Sequence, residues 1–121
     1  MKFVEKTPEG YVKQAIMEFL AAKHIYCLRI NSGQHIIRDE NNGKKRVIRL
    51  APKGTADLLA LVPLRTMQRQ PYFFPLWIET KVPGNQLTPD QEIFREQRIE
   101  DGHQHLVAHS IEDVEEYLKR L

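Results

Sequence analysis

Apolar residues recur with helical spacing in three segments of the chain. Each segment opens with a residue whose hydroxyl group can cap a helix, and the three caps are Thr7, Thr88 and Ser110. Proline follows the first two caps directly, at the helix position that tolerates it best. The first helix is predicted to end near His24, and its buried stripe is predicted to consist of Val12, Ile16, Phe19 and Leu20.

Shorter runs rich in branched and aromatic residues predict strands between these helices. They cover 25–30, 34–38, 46–50, 57–62, 73–80 and 104–109. Asn42-Gly43 predicts a hairpin between the second run and the third, Asn31-Ser32-Gly33 predicts a turn before it, and Pro63 is expected to end the fourth run. The order of helices and strands predicts an α/β fold in which helices flank a mixed β-sheet.

The composition is that of a soluble globular protein. The 121 residues predict one domain, residues 1–121, with a single core. Hydrophobic residues make up 41% of the chain and charged residues 28%, and no window is apolar enough to span a membrane. The single cysteine, Cys27, excludes an internal disulfide, which favours a reducing, cytoplasmic setting. Its apolar neighbours indicate a buried structural thiol rather than a nucleophile.

The candidate chemistry lies at the ends of two apolar strands. Asp57 opens the strand 57–62, while Glu79 and Lys81 end the strand 73–80 and share one of its faces, with Thr80 on the other. A carboxylate and an amine at the end of an apolar strand cost desolvation free energy. A divalent cation near Glu79 and a polarised water near Lys81 would offset this cost.

Phosphodiester hydrolysis needs an in-line water, charge near the phosphoryl oxygens and help for the leaving alkoxide, and carboxylate-held Mg²⁺ supplies most of this. Asp57 and Glu79 are the predicted metal ligands, with the main-chain carbonyl of Thr80 as a further oxygen. Lys81 is predicted to stabilise the developing anion.

Two further polar residues could join this cluster. Glu9 could reach it from the first helix, as a metal ligand or catalytic group. Gln91, in the first turn of the second helix, could hydrogen-bond the lysine, the water or the phosphate. An aspartate followed by Glu-x-Lys is nevertheless a weak signal in isolation, because such a match is more often a surface ion pair on an edge strand.

Motifs spread over nearly the whole chain add to this signal. In order they are Glu9 with Leu20, Asn31-Ser32-Gly33, Gly54-Thr55-Ala56-Asp57, Trp77-Ile78-Glu79-Thr80-Lys81, Leu87-Thr88-Pro89-Asp90-Gln91, Gly102, and Ser110 with Asp113. As a set they resemble the VRR-NUC (virus-type replication-repair nuclease) branch of the PD-(D/E)XK nucleases, in its stand-alone phage and bacterial form. Ala56 stands where proline is common in that family, which leaves the ligand Asp57 intact.

The resemblance implies a restriction-endonuclease-like core and an endonuclease that uses Mg²⁺ or Mn²⁺. It also implies a homodimer acting on Holliday junctions or other branched DNA in DNA repair, in the cytoplasm of a bacterium or of a phage-infected host. The catalytic residues carried over by position are Glu9, Asp57, Glu79, Lys81 and Gln91.

The net charge is only +2, but basic residues cluster before Asp57. Such a cluster could bind a polyanion such as DNA. The predicted DNA contacts are Arg38, Lys44, Lys45, Arg46, Arg49 and Lys53. A solvated charged hairpin explains the same charges equally well. The hairpin 34–50 could serve as a DNA clamp, as a dimer arm, or as both.

Histidines and aromatic residues offer further candidates. Along the last strand, a solvent-facing stripe rather than a metal site is expected for His103, His105 and His109, because no cysteine or acid stands at ligand spacing. Tyr11, Tyr72 and Trp77 could stack on bases, although aromatic residues at such spacings usually belong to the core.

Functions from different classes therefore remain open. One is a structure-selective, dimeric nuclease, since a monomer this small covers few base pairs and a two-fold axis suits symmetric cuts. Another is a non-catalytic DNA-binding or assembly module that retains the nuclease fold. The intact catalytic set favours the enzyme, because a site that no longer catalyses a reaction has usually lost at least one of its catalytic residues. A small α/β domain with an incidental ion pair is the third interpretation.

Overall fold

The structure is a computed structural model that describes residues 6–30, 34–49, 51–64 and 72–121. Along these residues a helix is followed by five strands, a second helix, a sixth strand and a third helix. The helices are α1 (Pro8–Ala22), α2 (Pro89–Glu100) and α3 (Ile111–Lys119). The strands are β1 (Tyr26–Arg29), β2 (Gln34–Arg38), β3 (Lys45–Arg49), β4 (Leu58–Leu64), β5 (Tyr72–Thr80) and β6 (Gln104–Ala108).

Four of these strands form a mixed sheet in the order β1-β4-β5-β6. β4 is antiparallel to both β1 and β5, whereas β6 is parallel to β5. The parallel pair arises because the chain returns from β5 through α2, a crossover that parallel neighbours require. β2 and β3 form a separate antiparallel ribbon. The predicted α/β fold, a mixed sheet flanked by helices, is thereby confirmed.

The core lies between the sheet and the helices α1 and α3. Buried positions alternate along β4, and the alternate residues Leu76, Ile78 and Thr80 of β5 are buried as well, so that every second side chain faces the helices. The fully buried residues of this layer include Ile16, Leu20, Leu58, Ala60, Leu76, Ile78 and Val114. Each large aliphatic side chain removed from water in this way contributes roughly 1.5–3 kcal/mol to folding. The packing fixes the register of the strand ends that carry the candidate chemistry.

The helix α2 lies against the other face of the sheet. Phe94, which is buried, meets Trp77 edge-on with ring centroids 5.1 Å apart, and it lies 6.1 Å from the ring of His105. Trp77 and Glu79 are alternate residues of β5 and therefore share this face. Among the described helices, none combines the length and apolar character needed to cross a bilayer.

Hydroxyl groups cap all three described helices, as predicted. Thr7 Oγ1 accepts a hydrogen bond from the N–H of Gly10 at 2.9 Å, and Ser110 Oγ accepts one from the N–H of Asp113 at 3.4 Å. At the start of α2, Thr88 and Gln91 form a reciprocal capping box. This box determines where the Gln91 side chain lies relative to the sheet.

The strand β4 extends further than predicted, because Pro63 does not end it. Pro63 lies opposite Phe73, and the strand continues to Leu64. β1 pairs with β4 only as far as Leu61, so the missing N–H of Pro63 breaks no ladder on that side. The hairpin around Asn42-Gly43 is confirmed. The predicted turn at 31–33 and the connection at 65–71 lie outside the described residues.

Candidate active site

Asp57 is held at the end of the sheet by hydrogen bonds from β5. Its Oδ2 accepts from the main-chain N–H of Thr80 at 2.9 Å and from the Thr80 hydroxyl at 2.7 Å. Its own main-chain carbonyl accepts from the N–H of Ile30 at 2.7 Å. Thr80 is fully buried, so it acts as a fixed donor pair that orients the Asp57 carboxylate. That the main-chain carbonyl of Thr80 is a metal ligand stays a prediction.

Glu79 is buried beside this aspartate and is only partly satisfied. Its Oε1 accepts a hydrogen bond from Nε2 of Gln91 at 3.1 Å and lies 4.0 Å from Nζ of Lys81. Its Oε2 is buried and has no hydrogen-bond partner among the described residues. The side chains of Glu79 and Lys81 are 4% and 11% exposed, so water screens their interaction weakly. Their contact agrees with the shared side that the alternation predicted for these two residues.

The environment of Glu79 disfavours its charged form. The pKa of Glu79 is raised from 4.5 to about 8: burial is the largest cause, the negative charge of Asp57 adds to it, and the Lys81 ammonium opposes the shift. A buried carboxyl group that also faces a like charge holds its proton at neutral pH. Such a perturbed acid, next to a second carboxylate and an amine, is typical of functional sites.

Gln91 reaches the cluster, but through a different partner from those predicted. Its amide nitrogen donates to Glu79 Oε1, while its amide oxygen accepts from the N–H of Thr88 at 2.9 Å. The capping box therefore uses the oxygen of the Gln91 side-chain amide, and the contact with Glu79 uses its nitrogen. Gln91 couples the start of α2 to the orientation of Glu79.

Glu9 lies at the margin of the cluster. Its charge raises the pKa of Glu79, although less than burial or Asp57 does. Within residues 6–30, 34–49, 51–64 and 72–121, no three His, Cys, Asp or Glu side chains converge as a metal-binding group. The structure therefore brings Asp57, Glu79, Lys81 and Gln91 together, while a ligand role for Glu9 stays a prediction.

Lys13 is a charged neighbour of Asp57 that the sequence reasoning missed. Its Nζ lies 3.6 Å from Asp57 Oδ1, and the two side chains are 11% and 18% exposed. It stands on α1 one turn after Glu9, between the stripe residues Val12 and Ile16. A lysine at helical spacing between an acid and an apolar stripe was the signal that could have found it.

The carboxylate pair fits a divalent cation on the chemistry of its donors. Asp57 and Glu79 are neighbouring carboxyl groups, one with a buried oxygen that lacks a partner, and they cannot both be charged without mutual repulsion unless a cation lies between them. Mg²⁺ suits a site of this kind because it takes few protein carboxylates and completes its shell with waters and substrate phosphate. Asp57 and Glu79 would hold the ion.

Removing the Lys13 charge is expected to strengthen cation binding at this pair. The ammonium beside Asp57 repels a second cation in a poorly screened setting, so Lys13→Met should tighten Mn²⁺ binding by about tenfold. The measurement is a calorimetric Mn²⁺ titration, with Lys119→Met on the exposed face of α3 as the matched control. Unchanged or weaker binding in Lys13→Met alone would show that Lys13 does not compete with the ion.

The predicted DNA contacts divide between the ribbon and the loop before Asp57. On the ribbon, Arg38 pairs in register with Lys45, whereas Arg46 pairs with Ile37 and so belongs to the opposite face. Lys44 is exposed in the turn, and Arg49 lies opposite Gln34 at the far end of the ribbon. The loop residue Lys53 is exposed but forms an ion pair with Asp90 at 3.3 Å.

The expected solvent-facing histidine stripe is wrong for His103 and His105, whereas the side chain of His109 is 38% exposed. His103 Nδ1 accepts a hydrogen bond from Trp77 Nε1 at 2.9 Å. His105 packs near Phe94, and burial lowers its pKa from 6.5 to about 4, which keeps the ring neutral. The reason is that α2 covers this face of the sheet, a tertiary contact that strand alternation alone does not reveal.

The three aromatic candidates differ in their exposure. Tyr11 and Tyr72 are each 57% exposed, so the expectation that they belong to the core is wrong, whereas Trp77 is half-buried.

Cys27 is half-buried, and burial raises the pKa of its thiol to about 11. A thiol with that pKa is a poor nucleophile, as its apolar neighbours predicted.

Comparison with known proteins decides what this architecture is similar to. No protein-family model matches the chain, and no curated protein matches its sequence. A solved structure described as "VRR_NUC domain" superimposes with a TM-score of 0.61, covering 93% of this chain and 96% of that one. The chain has the fold of a VRR_NUC domain.

The structural match confirms the resemblance at the level of the fold. The matched residues are 19% identical, a level at which the backbone path is shared and the side chains largely differ. The α/β fold with a mixed sheet flanked by helices is the one that the resemblance led us to expect. What the site does is therefore argued from its own residues.

Proposed function

We propose that the protein is an endodeoxyribonuclease that depends on Mg²⁺ or Mn²⁺ and hydrolyses phosphodiester bonds in branched DNA. The observation that carries this proposal is the pair formed by Asp57 and the buried Glu79, with Lys81 at 4.0 Å from Glu79, at the sheet end of a VRR_NUC fold. When bound, a divalent cation would act as a Lewis acid on a phosphoryl oxygen and make a water more acidic.

The chain's own residues divide the remaining tasks. Asp57 and Glu79 hold the cation, and Thr80 and Gln91 orient these two carboxylates through the hydrogen bonds described above. Lys81 provides a fixed, poorly solvated positive charge for the oxyanion that develops on the phosphate, which is worth more there than in water. Removing one such preorganised charge typically costs about 10²–10³-fold in rate.

The basic residues are proposed to position the DNA rather than to read its sequence. Four of them are exposed on the ribbon and can contact phosphates whatever the base sequence, namely Arg38, Lys44, Lys45 and Arg46. Arg49 and Lys53 complete the proposed set. Branched substrates such as Holliday junctions, and a homodimer that would place two sites about a two-fold axis, follow from the family resemblance.

The test is cleavage of a labelled four-way junction, a flap, a single strand and a duplex in Mg²⁺, Mn²⁺ or chelator. The expected result is metal-dependent cutting that favours the branched substrates and falls by at least ~10²-fold in Lys81→Ala, with Lys119→Ala as the matched control. Tight binding without cutting in either metal, unaffected by Lys81→Ala, would instead favour a DNA-binding module that retains the fold.

A further inference from the structure

A cavity lies beside the carboxylate pair, between the loop that precedes Asp57 and the helix α2. Its volume is about 390 Å³, at the small end of the range of ~300–1,000 Å³ usual for small-molecule sites. The apolar and aromatic part of its wall comes from Ile30, Pro52, Trp77, Ile93 and Phe94. Of the residues given a role in the proposed function, Lys53 alone lines this cavity.

The cavity is built from the same three segments as the carboxylate pair and its hydrogen-bond partner Gln91. Trp77 precedes Glu79 by two residues on the same face of β5, a separation of ~6.6 Å along a strand. Asp90 precedes Gln91, and Thr55 precedes Asp57 by two residues. The separation between Trp77 and Glu79 is comparable with the rise of two nucleotides along a DNA strand. A phosphate at the carboxylate pair would therefore bring a neighbouring nucleotide to the cavity.

The rim of the cavity is fixed by a backbone contact at Gly54. This residue has φ +89°, and a Cβ added to it would lie 2.4 Å from the main-chain oxygen of Asp90. Only glycine can bring the loop so close to the start of α2 in that conformation. The loop and the helix therefore hold a defined gap between them.

The charges around the cavity are already balanced, which disfavours an anionic occupant. Lys53 pairs with Asp90 at 3.3 Å, and Arg98 pairs with Asp101 at 3.1 Å. The Arg98 guanidinium also lies 5.0 Å from the centre of the Phe94 ring. Its Nε is buried and has no hydrogen-bond partner in the described parts of the chain, a cost that an acceptor on a ligand would remove.

We propose that this cavity receives an unpaired nucleobase of the DNA strand bound at the carboxylate pair. A base is uncharged, has apolar faces that stack on aromatic side chains, and carries acceptors at its edge. The inference rests on the proposed function and narrows its substrate to DNA with at least one unstacked nucleotide near the scissile phosphate. A continuous duplex would first have to lose a base from its stack, which costs free energy.

The single tryptophan of the chain makes this inference directly measurable, because Trp77 forms part of the wall. The experiment titrates the protein, in chelator, with a single-stranded thymidine oligonucleotide and with an abasic deoxyribose-phosphate strand of the same length. The thymidine strand is expected to change Trp77 fluorescence and to bind roughly 5- to 100-fold more tightly than the abasic strand, as base–aromatic stacking requires.

A matched pair of variants on α2 separates the cavity from general effects. Ile93 lines the cavity and Ile99 does not, although their exposures are 53% and 54%. Ile93→Phe should abolish the preference for the thymidine strand, whereas Ile99→Phe should retain it. Equal affinity for the two strands, no binding of either strand, or an unchanged preference in Ile93→Phe would overturn the inference. Because no cleavage is involved, any of these results leaves the nuclease test standing separately.

Discussion

Replacing Glu79 with glutamine is expected to slow metal-dependent cleavage by at least ~10³-fold, because it removes a cation ligand and the partner of Lys81 together. Glutamine keeps the size of the side chain and can still accept the hydrogen bond that Gln91 donates. The change therefore tests charge rather than packing. Cleavage of the preferred branched substrate is the measurement, and Glu96→Gln on the exposed side of α2 is the control.

The same substitution is expected to stabilise the metal-free protein at alkaline pH. The folded pKa of Glu79, about 8, lies above its ordinary value of 4.5. The folded state thus binds the proton more tightly, so stability is full below about pH 4.5 and is lost as the pH rises through about 8. Glutamine does not titrate, and Glu79→Gln should gain on the order of 4 kcal/mol at pH 9 and little at pH 5.

Denaturant unfolding at the two pH values, with a chelator present, measures this difference. If the stability that the variant gains over the unsubstituted chain is no larger at pH 9 than at pH 5, the buried charge of Glu79 does not destabilise the folded state.

Retention of cleavage by Glu79→Gln would exclude Glu79 from the reaction.

The affinity for Mn²⁺ is expected to rise roughly fiftyfold between pH 6 and pH 8. The cation must displace the proton of Glu79, and with a pKa of about 8 only about one molecule in a hundred is ionised at pH 6, against half at pH 8. Calorimetric titration at the two pH values gives the ratio. In Glu79→Gln the ratio should shrink towards one, and a comparable pH dependence in that variant would assign it to another group.

The helices and their caps could be predicted from sequence because their determinants are local. Thr7, Thr88 and Ser110 each accept a hydrogen bond from an N–H three residues away, as the capping pattern requires. The ribbon around Asn42-Gly43 is equally local. The strand-end positions of Asp57, Glu79 and Lys81 also follow from short segments, which is why the motif order predicted the neighbourhood correctly.

The remaining features depend on contacts between distant segments. The burial of Lys13 beside Asp57 requires α1 to cross the end of the sheet, and the neutral His105 requires α2 to cover the face beside Trp77. Gln91 bonds Glu79 rather than the lysine because the capping box has already fixed its amide oxygen. Propensity and spacing carry no information on such arrangements, since the partners lie far apart in the chain.

The number of protons released on binding Mn²⁺ tests the central claim most directly, namely that the pair formed by Asp57 and the buried Glu79 is a divalent-cation site. Titrations in buffers of different ionisation enthalpy give this number without any substitution. Because the pKa of Glu79 is about 8, about one proton should leave per bound cation at pH 6.5 and almost none at pH 9.5. Release of no proton at pH 6.5, or failure of the cation to bind at either pH, would contradict the assignment.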